Sequence, residues 1–436
     1  MRKILLMYIV LINLHAKADN LLGGEITCRN INGLMYETTL TIYRDTITGN
    51  LPLNYTITYR DSVDTVFASN IVITPPSVSW YNGFRSFTYI DTIIFPFAGL
   101  YKASAWSCCR DSVGNIPNST SYGMYLECKV LADGVNSSPK FLSSPIIFAQ
   151  LNQPFTNNIT PYDADGDSIS WELVIPEDVV SNGSGGFSIV TLPYNYPPSD
   201  SSLPFHIDPI LGDISFKPNV VGKYQIAVKI TEWKNGVQIG HVLREIELNV
   251  GQINNTPLAV QTEITVVTNN LISWQHLWTT NLPHPDIFIS PGDNLFIHQI
   301  ISDPDLIGYP YSQCFSASIL NSNAGISSGP TYNDWHDCEY IWGPISTSDV
   351  TSQPYLVTFR NFETYFLPYV DYLLSDCTFR IFVSPNTTGL NEIGNETKSV
   401  YLKSIDILGR ETDPNLPGFR IDLYSDGKTK KVFRGE

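Results

Sequence analysis

The chain has 436 residues, 42 of them acidic and 26 basic, with a formal net charge of −16. That balance disfavours nucleic acid and anionic membrane as partners, and the length provides for several domains of about 100–200 residues each. Long runs of like charge are absent, which excludes a disordered acidic tail.

Arg2 and Lys3 precede an almost unbroken apolar run, Ile4 to Leu14, and then the small-x-small site Ala16-Lys17-Ala18. This is the pattern of a secretory signal cleaved after Ala18. The run falls short of the ~20 apolar residues that span a bilayer, and no later stretch qualifies as a transmembrane segment. Cleavage removes Arg2, Lys3 and Lys17, leaving 23 basic residues against 42 acidic, or −19.

Short β-rich runs follow: "YETTLTIYRD", "SFTYIDTIIF", "YQIAVKI", "REIELNV", "PYLVTFRNF" and "FRIFV". Gly, Pro, Asn, Asp and Ser bound them at short intervals, as in all-β sandwiches. Three polar stretches divide the chain: Val135 to Pro145, Gly251 to Val260, and Ser384 to Lys398. After the signal at 1–18, the expected segments are 19–140, 141–251, 252–385 and a tail at 386–436.

Seven cysteines form two groups, Cys28, Cys108, Cys109 and Cys128, then Cys314, Cys338 and Cys377. In an exported chain all are disulfide candidates. Chain neighbours rarely bond to each other, so Cys28 and Cys128 are the expected partners of Cys108 and Cys109. The second group is odd and leaves one thiol over. No C-x-x-C pair supports a zinc site.

The stretch "PYDADGDSISWELVIP" sets Asp163, Asp165 and Asp167 at alternate positions. An EF-hand is excluded, because the sixth position is Ser168 rather than Gly and the twelfth is Val174 rather than Glu. Two readings stand. In an extended backbone the three carboxylates share one side and invite calcium, with backbone carbonyls or Asp208 and Asp213 completing the shell. Alternatively, Asp165-Gly166 turns the chain and the aspartates face water.

Patterns that could carry catalysis are weak. "GISSG" (Gly325 to Gly329) matches the nucleophile-elbow pattern but reads as a polar loop without the helix such an elbow needs. His336 lies between Asp334 and Asp337 and reads as a surface-loop histidine. Glu172 and Glu177 have nothing to set them around a sugar cleft. Trp274 and Trp278 share one strand face, as core or as a sugar-stacking platform. The chain is read as a non-enzyme.

Several stretches occur in one order: "TLTIYRD", "WSCCR", "NSSPKF", "NQPF", "DADGDSISWEL" and "GKYQIAVKITEWKNGVQIGHVLREIELNV". That order resembles a family of exported Bacteroidetes surface proteins with tandem immunoglobulin-like or cadherin-like modules, associated with gliding motility and adhesion. The resemblance covers roughly residues 24–250. It implies an immunoglobulin-like sandwich with a cysteine cluster at 19–140, a cadherin-like sandwich at 141–251 and a third immunoglobulin-like domain at 252–385. Relatives often carry cysteines where this chain has Thr46 and Gln150–Leu151, so a disulfide of the family is absent here. The tail "YLKSIDILGRETDP…FRIDLYSDGKTKKVF" resembles the C-terminal sorting domain of type IX secretion cargo. The matching positions are Asp406, Leu408, Gly409, Arg410, Asp426, Gly427, Lys430 and Lys431. The resemblance implies the type IX machinery as one partner, a surface polymer or protein ligand as another, and location at the cell surface or beyond. A second reading is a carbohydrate-binding or carbohydrate-active protein with 252–385 as its active part.

Overall fold

The computed structural model describes residues 20–45, 54–72, 77–81, 84–181, 187–252, 259–268, 271–278, 286–302, 304, 309–316, 324–328, 335–351, 354–364, 371–385, 401–405, 411–412, 418–424 and 429–434. Strands and two short 3-10 turns account for the regular structure, so the all-β expectation holds among the described residues. No helix there is long and apolar enough to cross a membrane.

The chain divides into two compact units, 1–389 and 390–436. In the larger unit one sheet runs in the order Val66–Val72, Tyr55–Arg60, Gly99–Ser107, Met124–Ala132, Val237–Gly251, Leu21–Asn32, Met35–Asp45, Phe84–Ile94, Ser77–Tyr81. It encloses a first core that includes Ile26, Tyr36, Leu40, Ile57, Tyr59, Tyr89 and Leu126.

The strand Val237–Gly251 passes from this core into the next. Val242 belongs to the first, while Ile246, Leu248 and Val250 belong to the second. Near its start it pairs with Met124–Ala132, and further on with Leu21–Asn32. At its end it runs parallel to Ile146–Gln150. The segments expected at 19–140 and 141–251 therefore share one sheet.

The second core lies between the strands Ser168–Val174, Gly222–Lys234 and Val237–Gly251 and a small sheet of Phe155–Asn158, Asp213–Phe216 and His206–Ile207. Residues 224 to 228 of Gly222–Lys234 are buried without alternation, because both faces of that strand are covered.

A third core is formed by a five-stranded sheet, Leu271–Trp278, Ala259–Thr268, Asn294–Ser302, Trp335–Trp342 and Ala324–Ser328, and a four-stranded one. The latter runs Ile287–Ile289, Asp371–Val383, Tyr355–Thr364, Tyr309–Ser316. Asn294–Ser302 alternates strictly between buried and half-buried positions, the period of two that a half-covered strand requires. Trp342 and Tyr355 meet edge to face across the two sheets, with centroids 4.7 Å apart.

The smaller unit, 390–436, holds a four-stranded antiparallel sheet ordered Glu411–Thr412, Tyr401–Ile405, Gly418–Tyr424, Thr429–Arg434. Asp406, Leu408, Gly409, Arg410, Asp426 and Gly427 lie outside the described residues.

Candidate cation site

The loop from Asp163 to Asp167 leaves the strand Pro161–Tyr162, which pairs with Lys140–Phe141, and enters Ser168–Val174. It is curled rather than extended. Gly166 sits at φ +75, where a residue with a Cβ is strained. Asp163 Oδ1 closes the curl by accepting the N–H groups of Asp165 and Asp167, each at 3.0 Å. The turn reading describes the backbone of these five residues, and the extended arrangement with three aspartates on one side is not adopted.

The convergence is not the alternating triad. Asp165 Oδ2 is committed to the backbone N–H of Ser137 at 2.6 Å. Its place is taken by Glu232, from the strand Gly222–Lys234. Asp163, Asp167 and Glu232 each present an oxygen within 4.8 Å of the others. Glu232 is fully buried and neither of its carboxylate oxygens has a hydrogen-bond partner. Asp163 Oδ2 is likewise buried without a partner. Asn136, also fully buried, faces Glu232 with its amide, which eases the burial of that carboxyl, while its side-chain oxygen has no partner. Orphaned buried groups of this kind cost about 1–3 kcal/mol each, more when charged. Three such carboxylate oxygens, two on Glu232 and one on Asp163, in one cluster are the chemistry of an oxygen-ligated cation centre.

The electrostatics agree. Burial, with the neighbouring charges of Asp163, Asp167 and Asp165, pushes the Glu232 carboxyl up to about 9. Burial, aided by Asp165 and Asp167, pushes Asp163 up to about 7. Lys234 is the local counter-charge, 3.4 Å from Asp167. Asp163, Asp167 and Glu232 supply oxygens of the hard type that calcium takes at six to eight positions.

Residues 136–138, within the polar stretch expected to divide the chain, are buried. Asp133 Oδ1 accepts the Asn136 N–H at 2.8 Å, and the Ser137 and Ser138 hydroxyls accept the N–H groups of Asn30 and Cys28. The segment that carries Asn136 is therefore held on the first core, while Asp163, Asp167 and Glu232 come from the second.

Other expected positions are placed as follows. Asp208 accepts the N–H groups of Ile210 and Leu211, and Asp213 bonds Asn158 and Thr378, so neither joins the cluster. Glu172 pairs with Lys229 at 2.8 Å, while Glu177 lies near Glu127, so the two are not set around a cleft. His336 is buried in the strand Trp335–Trp342, not on a surface loop. Gly325 to Ser328 lie in the strand Ala324–Ser328, which ends its sheet, rather than in a loop. Trp274 and Trp278 sit in Leu271–Trp278 opposite Thr265 and Gln261, and their side chains lie outside the described residues.

The cysteine pairing differs from expectation. Cys108 and Cys109 are bonded to each other, while Cys28, Cys128, Cys314, Cys338 and Cys377 are buried thiols. Cys28 and Cys128 lie side by side in the first core, and burial raises the Cys128 thiol well above its usual value, with Cys28 adding to the shift.

No model of a known protein family matches the chain, and no curated protein matches it. Among solved structures it is similar to domains 1–4 of Sidekick-1, an immunoglobulin array, at 9% identity over 95% of this chain and 98% of that one, with a TM-score of 0.18. The cadherin-like domains 1 to 4 of zebrafish RET match at 10% identity over 96% of this chain and 89% of that one, with a TM-score of 0.19. The complex of Dpr2 Ig1-Ig2 with DIP-Theta Ig1-Ig3 matches at 12% identity over 84% of this chain and 99% of that one, with a TM-score of 0.18. At such scores the likeness adds nothing to the architecture read from the strands themselves. That architecture defines a multi-module β-sandwich protein.

Proposed function

We propose that this is an exported, non-catalytic binding protein of the cell surface, whose first two β-modules are joined through a bound calcium ion. The observation that carries the reading is the set of orphaned buried groups: both Glu232 oxygens, Asp163 Oδ2 and the Asn136 amide. A hard dication relieves the orphaned oxygens among them at once and explains why three carboxylates are packed together. The secretory pattern at 1–18 and the sorting-domain pattern of the tail support export through the type IX route. Tandem sandwiches lacking an assembled catalytic set among the described residues support attachment to a surface polymer or protein ligand.

Calorimetry with calcium chloride on the full chain, paired with thermal melts, tests this. Binding at millimolar concentration or tighter, with a raised melting temperature, is expected. Asp163→Asn keeps the turn-closing acceptor and Glu232→Gln keeps the shape, yet both should abolish the calcium response. A melting curve indifferent to calcium and to chelator would overturn the reading.

A further inference from the structure

Asp163 and Asp167 have a second neighbourhood. Besides facing Glu232 they line a cavity of about 310 Å³ between the second core and the strands Tyr355–Thr364 and Asp371–Val383. Its walls include the rings of Tyr162, Trp171, Tyr355 and Phe382, with the half-exposed Arg380 and the exposed Ile210. The volume lies at the lower end of the ~300–1,000 Å³ typical of small-molecule pockets. A cation held by one oxygen each of Asp163, Asp167 and Glu232 takes fewer protein oxygens than the six to eight that calcium prefers, so a share of its shell is left to a ligand or water.

The charges restrict what that ligand can be. Arg380 is neutralised by Asp286, with contacts of 2.6 and 2.7 Å. A dication and the Lys234 ammonium offset three of the four carboxylates of Asp163, Asp165, Asp167 and Glu232. The site therefore has no place for an anion, which the chain's net −16 also disfavours. What fits is a neutral molecule with oxygen donors on one edge and an apolar face for the rings.

We propose that the cavity binds a neutral saccharide, a pair of whose hydroxyls completes the coordination of the cation held by Asp163, Asp167 and Glu232. This rests on the cation reading above and deepens it, placing the ligand between the second and third cores rather than in residues 252–385 alone.

The test is calorimetric titration of the full chain with methyl α-mannoside, methyl β-galactoside and methyl α-fucoside, each in excess calcium and again in EDTA. N-acetyl-aspartate and a methyl glucuronide serve as anionic comparators. Saturable binding of at least one neutral glycoside, weakened at least about tenfold by EDTA, is expected. Ile210→Trp fills the exposed mouth of the cavity and should abolish glycoside binding while calcium binding persists. Calcium binding without response to any neutral glycoside overturns this inference alone, as does binding confined to the anions or unmoved by EDTA. Failure to bind calcium overturns the cation reading and this inference together.

Discussion

Arg360 and Asp376 stand opposite each other on neighbouring strands and grip the backbone of Asn158 between them. Arg360 Nε lies 3.1 Å from Asp376 Oδ1 and Nη2 lies 2.9 Å from Oδ2. Arg360 Nη2 also donates to the Asn158 carbonyl, and Asp376 Oδ2 accepts the Asn158 N–H, each at 2.7 Å. The pair belongs to the third core and Asn158 to a strand over the second, so one buried ion pair fastens the two.

Removing one partner leaves the other charge buried, which costs about 3–5 kcal/mol. Arg360→Ala should therefore lower the urea midpoint sharply. Arg360→Met with Asp376→Leu should recover part of the loss, because no lone charge remains while the Asn158 groups lose their partners. A single variant as stable as the parent would contradict the clamp.

A second prediction concerns pH. Burial pushes both Glu245 and Glu247 up to about 7, despite Arg110 beside the first and Lys223 beside the second. Both values lie above the ordinary glutamate range, so the folded chain holds these protons more tightly than the unfolded one. Their contribution to stability is complete below about pH 4.5 and is lost as pH rises through about 7. Glu127 behaves oppositely: although burial raises it, His241, Tyr125 and Lys102 hold it down to about 2. Its contribution is lost only as pH falls through that value. Melting temperatures of the parent and Glu247→Gln, compared at each pH from 5 to 8, should therefore diverge in favour of the variant as pH rises. A constant difference across that range would count against the buried proton.

A third prediction separates the cysteines. Cys28, Cys128, Cys314, Cys338 and Cys377 are buried thiols, and burial pushes Cys338 up to about 11 and Cys377 up to about 12. Thiolate is the reactive form, so alkylation of the native protein should spare all five. Denaturant without reductant should expose five labelled sites, with Cys108 and Cys109 labelled only after reduction. Mass mapping that found Cys108 joined to Cys28 or Cys128 would restore the pairing expected from sequence.

The division between what the sequence discloses and what it conceals follows the range of the interactions. Period-two alternation is local, so the β character of "YETTLTIYRD" is legible in the residues themselves. The aspartates of the DADGD loop were also legible, as was the turn at Gly166. Glu232 was not, because it lies 65 residues beyond Asp167 in a strand that reads simply as β-rich. Asn136 was concealed more deeply: "VNSSPKF" has linker composition, and its burial comes from backbone groups of Asn30 and Cys28 more than a hundred residues earlier. The buried pairs Arg110–Glu245 and Arg244–Glu25 gave no signal, since each charge finds its partner through strand order rather than spacing.

The last prediction concerns the tail. Residues 390–436 form a compact unit of their own whose four strands pair only with one another among the described residues. Three cores are built without them, so ending the chain at 389 removes no strand from any sheet of the larger unit. The truncated protein should therefore melt as the parent does, within error, and keep its calcium response. If the tail is a type IX sorting domain, the loss should appear in location instead. Fractionation and immunofluorescence on intact cells should find the truncated chain in the periplasm, folded and with Cys108 and Cys109 still oxidised, while the parent reaches the surface. Normal surface display of the truncated chain would remove the sorting role. A fall in melting temperature would instead mean that the tail completes the fold of the rest.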